Sequence, residues 1–156
     1  MSNTYNFYIY QTKFGYFKIS YENKTITGVE RMTEPSQNKG IRNYLSDETI
    51  KEINEYFEGK RKCFEVPLHF EGTEFQKKVW NQLLTIPYGQ TRSYKQIAIE
   101  INKPKAYRAV GNASNKNPIG IIAPCHRVIG SNGNLVGYAG GLEMKKKLLQ
   151  LEKKYS

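Results

Sequence analysis

The sequence predicts an α/β chain of the α+β kind. A small antiparallel sheet with one helix comes first, and a mostly helical second half carrying a helix-turn-helix follows. Three observations lead there. Short apolar runs alternate with polar residues through the first thirty positions, capping signals recur in the second half, and all the excess positive charge lies in that half.

The elements follow in order. Phe7-Tyr8-Ile9-Tyr10, Tyr16-Phe17-Lys18-Ile19 and Ile26-Thr27-Gly28-Val29 are parted by the turn formers Gly15 and Glu22-Asn23-Lys24, which predicts a three-strand meander. A helix is expected from about Asp47 to Glu58, capped by Ser46, stapled by Leu45 and Ile50, buried along Ile50, Ile53 and Phe57, and ended by Gly59. Residues 59–72 form a connecting segment with Cys63, Pro67 and His69. Thr73-x-x-Gln76 is a capping box opening a helix with Phe75, Val79, Leu83 and Leu84 on one face, and Ile86-Pro87-Tyr88-Gly89 stops it. Ser93-x-x-Gln96 opens a short helix through Ile101, packed by Ile97, Ala98 and Ile101. After an Asn102-Lys103 turn, Pro104 suits the first position of a third helix running to about Ser114. Two short helices across a tight turn, the second bearing Lys105, Arg108 and small Ala109, Gly111 and Ala113, form the helix-turn-helix pattern. Its small residues let the backbone come close to a groove.

Composition bounds the function. The 156 residues carry a formal net charge of +10, with 38% hydrophobic and 24% charged residues, a globular profile that excludes wholesale disorder. Residues 1–72 balance ten basic against ten acidic side chains, whereas residues 73–156 hold fourteen against four. The second half therefore faces a polyanion, with nucleic acid the leading partner. No apolar run approaches the ~20 residues of a membrane span. The N-terminal Met-Ser-Asn-Thr-Tyr-Asn lacks a secretion pattern, so the cytoplasm is the expected compartment. Two cysteines, Cys63 and Cys125, and two histidines, His69 and His126, supply neither a disulfide framework nor a metal cluster. No metal and no cofactor are expected.

The chemistry centres on one segment. The apolar run Ile119–Ala123 ends at Pro124 and delivers Cys125 to the edge of the core, where a site can form. A thiol of pKa about 8.5 is only a few per cent thiolate at neutral pH, so a nucleophilic cysteine needs help. His126 and Arg127 supply an electropositive setting, although neighbours on an extended segment diverge and His126 would work through a water. These residues alone leave two readings open, a nucleophile or a small buried hydrophobe. Nothing around Cys63 would activate it.

Residues 73–152 resemble the methylated-DNA–protein-cysteine methyltransferases, the O6-alkylguanine-DNA alkyltransferase family. The matching stretches, in the family's order, are Gly72-Thr73-x-Phe75-Gln76, Val79-Trp80, Ile86-Pro87-Tyr88-Gly89-x-Thr91-x-Ser93-Tyr94, Arg108-Ala109-Val110-Gly111, Asn117-Pro118, Pro124-Cys125-His126-Arg127-Val128, Gly137-Tyr138-x-Gly140-Gly141, and Leu148-Leu149 with Glu152. The resemblance implies a ribonuclease H-like α/β domain at 1–72 and a DNA-binding, alkyl-acceptor domain at 73–156. It implies a monomer that binds double-stranded DNA containing O6-alkylguanine through the minor groove, flips the base, and moves the alkyl group irreversibly onto its own cysteine. Cys125 would be the acceptor, His126 the base acting through water, and Glu152 the carboxylate orienting it. Tyr94 would donate to the guanine leaving group, and Asn117 would tie the DNA-binding motif to the active-site loop. Arg108 would fill the gap left by the flipped base, with Ala106, Ala109, Gly111 and Arg127 also at the DNA. Val128, Tyr138 and Ala139, with Tyr94, would line the guanine pocket.

Two departures accompany this resemblance: Ala139 stands where many members have a hydroxyl residue, and Asn102 where glycine is common. The zinc ligands of some relatives are missing. A damage-sensing binder without chemistry is the alternative, and relatives of that kind typically carry tryptophan at the cysteine position.

Overall fold

The structure is a computed structural model describing residues 6–156. Met1–Tyr5, on which most of the secretion-signal expectation falls, lies outside the described residues. The chain divides into two compact units, one comprising the residues up to Phe70 together with Pro118–Gly120, the other Glu71–Asn117 and Ile121–Ser156.

In the first unit β1 (Phe7–Thr12), β2 (Gly15–Glu22) and β3 (Thr25–Met32) form an antiparallel sheet in the order β1-β2-β3. The β2–β3 turn uses Asn23 at φ 55, a left-handed position that asparagine tolerates. Phe17 and Ile19 alternate inward on β2 and meet Ile53, Tyr56 and Phe57 of α1 (Tyr44–Phe57), all nearly inaccessible to solvent. Helix α1 starts one turn earlier than the sequence suggested. Its cap is Asn43, whose side chain accepts from the Ser46 N–H at 2.7 Å while Ser46 Oγ accepts from the Asn43 N–H at 2.9 Å. Ser46 is thus the inner half of a reciprocal box. Pro118–Gly120 runs beside β3, where the Val29 N–H donates to the Pro118 carbonyl and the Gly120 N–H to that of Val29.

The second unit holds α2 (Glu74–Leu83), α3 (Tyr94–Glu100), α4 (Tyr107–Asn115) and α5 (Leu142–Tyr155), with a two-residue parallel pair of β4 (Arg92–Ser93) and β5 (Val128–Ile129). Both predicted capping boxes form, Thr73 with Gln76 and Ser93 with Gln96. Asn102 turns the chain at φ 63, but α4 begins at Tyr107 instead of Pro104, because residues 103–106 close a separate turn in which the Ala106 N–H bonds the Lys103 carbonyl. Trp80 Nε1 donates to the Ala113 carbonyl at 2.8 Å and locks α2 to α4. Val79, Leu83, Ile97, Ala98, Val110, Val128 and Leu148 form the fully buried core. Leu84, expected on the buried face of α2, is 41% exposed, since the helix has already ended at Leu83.

Candidate active site

The segment before Cys125 is bent, then braced. Ile121 takes φ 70, a left-handed conformation that a β-branched residue adopts at a strain of about 1–3 kcal/mol. Its side chain is buried, so packing holds the strain. Asn117 Nδ2 donates to the Ala123 carbonyl at 2.7 Å, clamping the end of α4 to the residues leading into the cysteine. Cys125–Arg127 then form one turn of 3-10 helix, where an extended segment had been expected. The Arg127 N–H closes it on the Pro124 carbonyl at 2.9 Å.

This turn sends consecutive side chains into different surroundings. Cys125 is 7% exposed and His126 wholly buried. His126 Nε2 lies 2.6 Å from Glu152 Oε2 on α5. Arg127 reaches the same carboxylate twice, Nε to Oε1 at 2.8 Å and Nη2 to Oε2 at 2.9 Å, while its Nη1 donates to the Ile86 carbonyl at 2.7 Å. Oε1 also accepts the Gly89 N–H at 2.9 Å. Gly89, at φ 79, supplies a left-handed residue just after Tyr88, whose ring lies under the Arg127 guanidinium. The sequence reading placed Arg127 at the DNA. The structure contradicts this: the side chain is 6% exposed and committed to Glu152.

The electrostatics form a consistent set. Burial would push the Glu152 carboxyl up, but hydrogen bonds and charge from His126 and Arg127 outweigh it and hold the group at about 2. Glu152 is therefore an anion at neutral pH. Burial pushes His126 below its ordinary value, against the pull of Glu152, and the charges of Arg127 and Lys145 push the same way. A neutral imidazole donating from Nε2 to Glu152 fits both shifts. Burial raises the Cys125 thiol, while a hydrogen bond from Asn117, the Lys145 charge and a backbone hydrogen bond oppose it. The arrangement is an anion, a neutral base and a protonated thiol. Moving the thiol proton to the imidazole would place the new cation against Glu152.

Lys145 is a residue the sequence reading missed. It is fully buried on α5, and its Nζ donates to the carbonyls of Val128 at 2.6 Å, Val136 at 2.9 Å and Gly137 at 3.2 Å. Three acceptors match the three donors of an ammonium, although burial lowers its pKa. One signal was present: Lys145 shares the stripe of Met144, Leu148 and Glu152, the positions α5 buries.

The other candidates stand as follows. Tyr94, at the start of α3, donates its hydroxyl to the Val136 carbonyl at 2.9 Å. Burial and the proximity of Cys125 raise its pKa. Val128 is buried, Tyr138 half-buried and Ala139 exposed. The Tyr138 ring lies where a Gly140 side chain would start, 2.7 Å from that point, so only glycine permits this approach. On α4, Arg108 and Ala109 are exposed, Gly111 and Ala106 less so. Among the described residues no group of His, Cys, Asp and Glu could hold a metal ion, and no helix is long and apolar enough to cross a membrane.

Comparison with known proteins adds to this geometry. Residues 74–154 match the family described as 6-O-methylguanine DNA methyltransferase, DNA binding domain, and residues 5–70 match that family's ribonuclease-like domain. A Bacillus subtilis protein named methylated-DNA–protein-cysteine methyltransferase, inducible, is 49% identical over the whole of this chain and 89% of its own length. The structure of Mycobacterium tuberculosis OGT in complex with DNA superposes with a TM-score of 0.87 at 40% identity, covering 96% of this chain and 94% of that one. An O6-methylguanine DNA methyltransferase from Methanococcus jannaschii superposes with a TM-score of 0.70 at 28% identity, covering 93% and 92%.

Proposed function

The chain belongs to the 6-O-methylguanine DNA methyltransferase family, and we propose that Cys125 Sγ is the atom on which its chemistry ends. The protein repairs DNA by transferring the O6-alkyl group of guanine to its own cysteine. The observation that carries the residue assignment is the His126–Glu152 pair, Nε2 to Oε2 at 2.6 Å, next in the chain to the buried thiol of Cys125.

In this reading His126 takes the thiol proton through a bridging water, and Glu152 stabilises the imidazolium. Asn117 and Lys145 favour the thiolate. The sulfur attacks the alkyl carbon in line, the carbon–O6 bond breaks, and its electrons return to the guanine ring. Tyr94 supplies a hydrogen bond or proton to that ring, so that no bare anion leaves. To do so its hydroxyl must exchange the Val136 carbonyl for the base.

The α3–α4 pair is the helix-turn-helix, entering the minor groove along Ala106, Ala109 and Gly111. Arg108 occupies the gap left by the extruded base, which offsets an extrusion that costs a few kcal/mol. Val128, Tyr138 and Ala139 line the guanine pocket, the last through its backbone. The thioether has no evident route back, so each molecule acts once. Every group named comes from one chain, so a monomer suffices, and a reducing cytoplasm suits a thiol that must stay unoxidised.

The test is direct. Mix the protein with an equimolar duplex bearing O6-methylguanine and map the modified peptide. Methyl on Cys125, lost in Cys125→Ser while duplex binding persists, is the expected result. Lesion loss with an unmodified sulfur, or tight binding with an intact lesion, overturns the assignment.

A further inference from the structure

We infer that Tyr107 is a positioning residue for repair in duplex DNA, the ring that holds Arg108 ready for the gap left by the extruded base. This inference rests on the alkyl-transfer reading above.

The stretch Ala106–Gly111 is built from small residues on its outer side, and Tyr107 breaks that pattern with a large aromatic at the first position of α4. Its ring is half-buried and lies near two cations. The Lys95 ammonium lies 5.4 Å from the ring centroid, and the Arg108 guanidinium lies 5.9 Å from it. Neighbouring positions on a helix do not face each other, so Arg108 meets this ring only by laying its side chain back across it. Lys95 belongs to α3, so the contact also ties the two helices at the end that meets the duplex. One turn further on, the Tyr94 ring rests against Gly111, 3.8 Å from where a Cβ would stand. Tyr94 therefore has its own seat, and the task of Tyr107 is confined to the two cations.

The physical gain is preorganisation. An exposed arginine gives up side-chain freedom when it is fixed in one place. A ring that already restricts the guanidinium lowers that loss at the moment of insertion. A single strand has no stack to fill, so a reaction there does not call on Arg108.

The experiment compares single-turnover methyl transfer on a duplex and on a single-stranded oligonucleotide bearing the same O6-methylguanine. Tyr107→Leu is expected to slow the duplex reaction about tenfold, the greater part of the ordering loss that the ring spares Arg108, and the single-strand reaction by less than about threefold. Tyr107→Phe keeps the ring and is expected to restore the duplex rate. The Tyr107→Leu/Arg108→Ala pair is expected to lose no more than Arg108→Ala alone. A thermal melt checks folding, and Tyr107→Met carries the same test should the leucine variant not fold. The inference is overturned by an undiminished duplex rate, by equal losses on both substrates, by a phenylalanine variant as slow as leucine, or by additive losses in the pair. Absence of methyl from wild-type Cys125 in the same series would instead sink the transfer reading.

Discussion

Replacing Glu152 with glutamine keeps the shape of the side chain and removes its charge, and the surroundings make that change severe. The carboxylate accepts from Gly89 N, Arg127 Nε, Arg127 Nη2 and His126 Nε2, all within 2.9 Å. A glutamine offers one oxygen and one amide to those donors, so one N–H must face another. If the amide faces His126, Nε2 becomes an acceptor and the ring proton moves to Nδ1, the nitrogen that has to receive the thiol proton. The rate loss expected from the wrong tautomer is about 10²- to 10⁴-fold. Stability should fall as well. Holding the carboxyl at about 2 against an ordinary 4.5 is a shift of about 2.5 units, worth about 3 kcal/mol at neutral pH. Leaving the buried Arg127 without its carboxylate costs about 3–5 kcal/mol by comparison with other broken buried pairs. The two figures agree in size. Urea unfolding should therefore show a loss of about 3 kcal/mol, and single-turnover transfer from an O6-methylguanine duplex should slow by at least about a hundredfold. A folded Glu152→Gln protein transferring methyl within threefold of the wild-type rate would refute the proton-transfer reasoning, and unchanged stability would refute the electrostatics.

Three further outcomes are expected. Glu152 and His126 both have pKa values lowered on folding, so both contribute stability that is complete above their unfolded values and lost on acidification. Unfolding free energy measured against pH should thus decline below about 6.5 as His126 is forced to charge, and decline again between about 4.5 and 2. The lower step should shrink in Glu152→Gln, leaving the smaller part that Asp47 and other paired carboxylates contribute. Tyr94→Phe should slow transfer by about tenfold or more, since a positioned donor contributes about 10²–10⁴; an unchanged single-turnover rate would remove Tyr94 as the donor. Lys145→Met keeps the length of the side chain but removes the three donors that hold Val128, Val136 and Gly137 and the charge that favours the thiolate. The pH at which the Cys125 thiol becomes reactive, followed by thiol alkylation rate, should move upward; a downward move would contradict the assigned sign.

Local signals read well wherever the chemistry lay within a few residues. Thr73 with Gln76 and Ser93 with Gln96 cap their helices as expected, because a capping box is satisfied inside one turn. The three strands also stood where alternation put them. The failures have separate causes. Asn43 caps α1 in place of Ser46, and Ser46, besides closing that box, accepts from the Tyr10 hydroxyl of β1 at 2.8 Å, a partner thirty-six residues away. Leu84 fell outside its helix by one position and so faces water. The resemblance put Arg127 at the DNA, and a carboxylate twenty-five residues on turns it inward.

By itself the sequence determined the α/β fold class, the thiol before His126 and the family that carries it. These are properties of residue types, of local spacing and of order along the chain. Only the tertiary structure decided the protonation logic: which carboxylate faces His126, that Arg127 serves that carboxylate, and that a lysine from α5 is buried beside the sulfur's surroundings with three carbonyls around it. The charge state of a buried group depends on what surrounds it in space. That environment exists only once α5 has packed against the turn carrying Cys125.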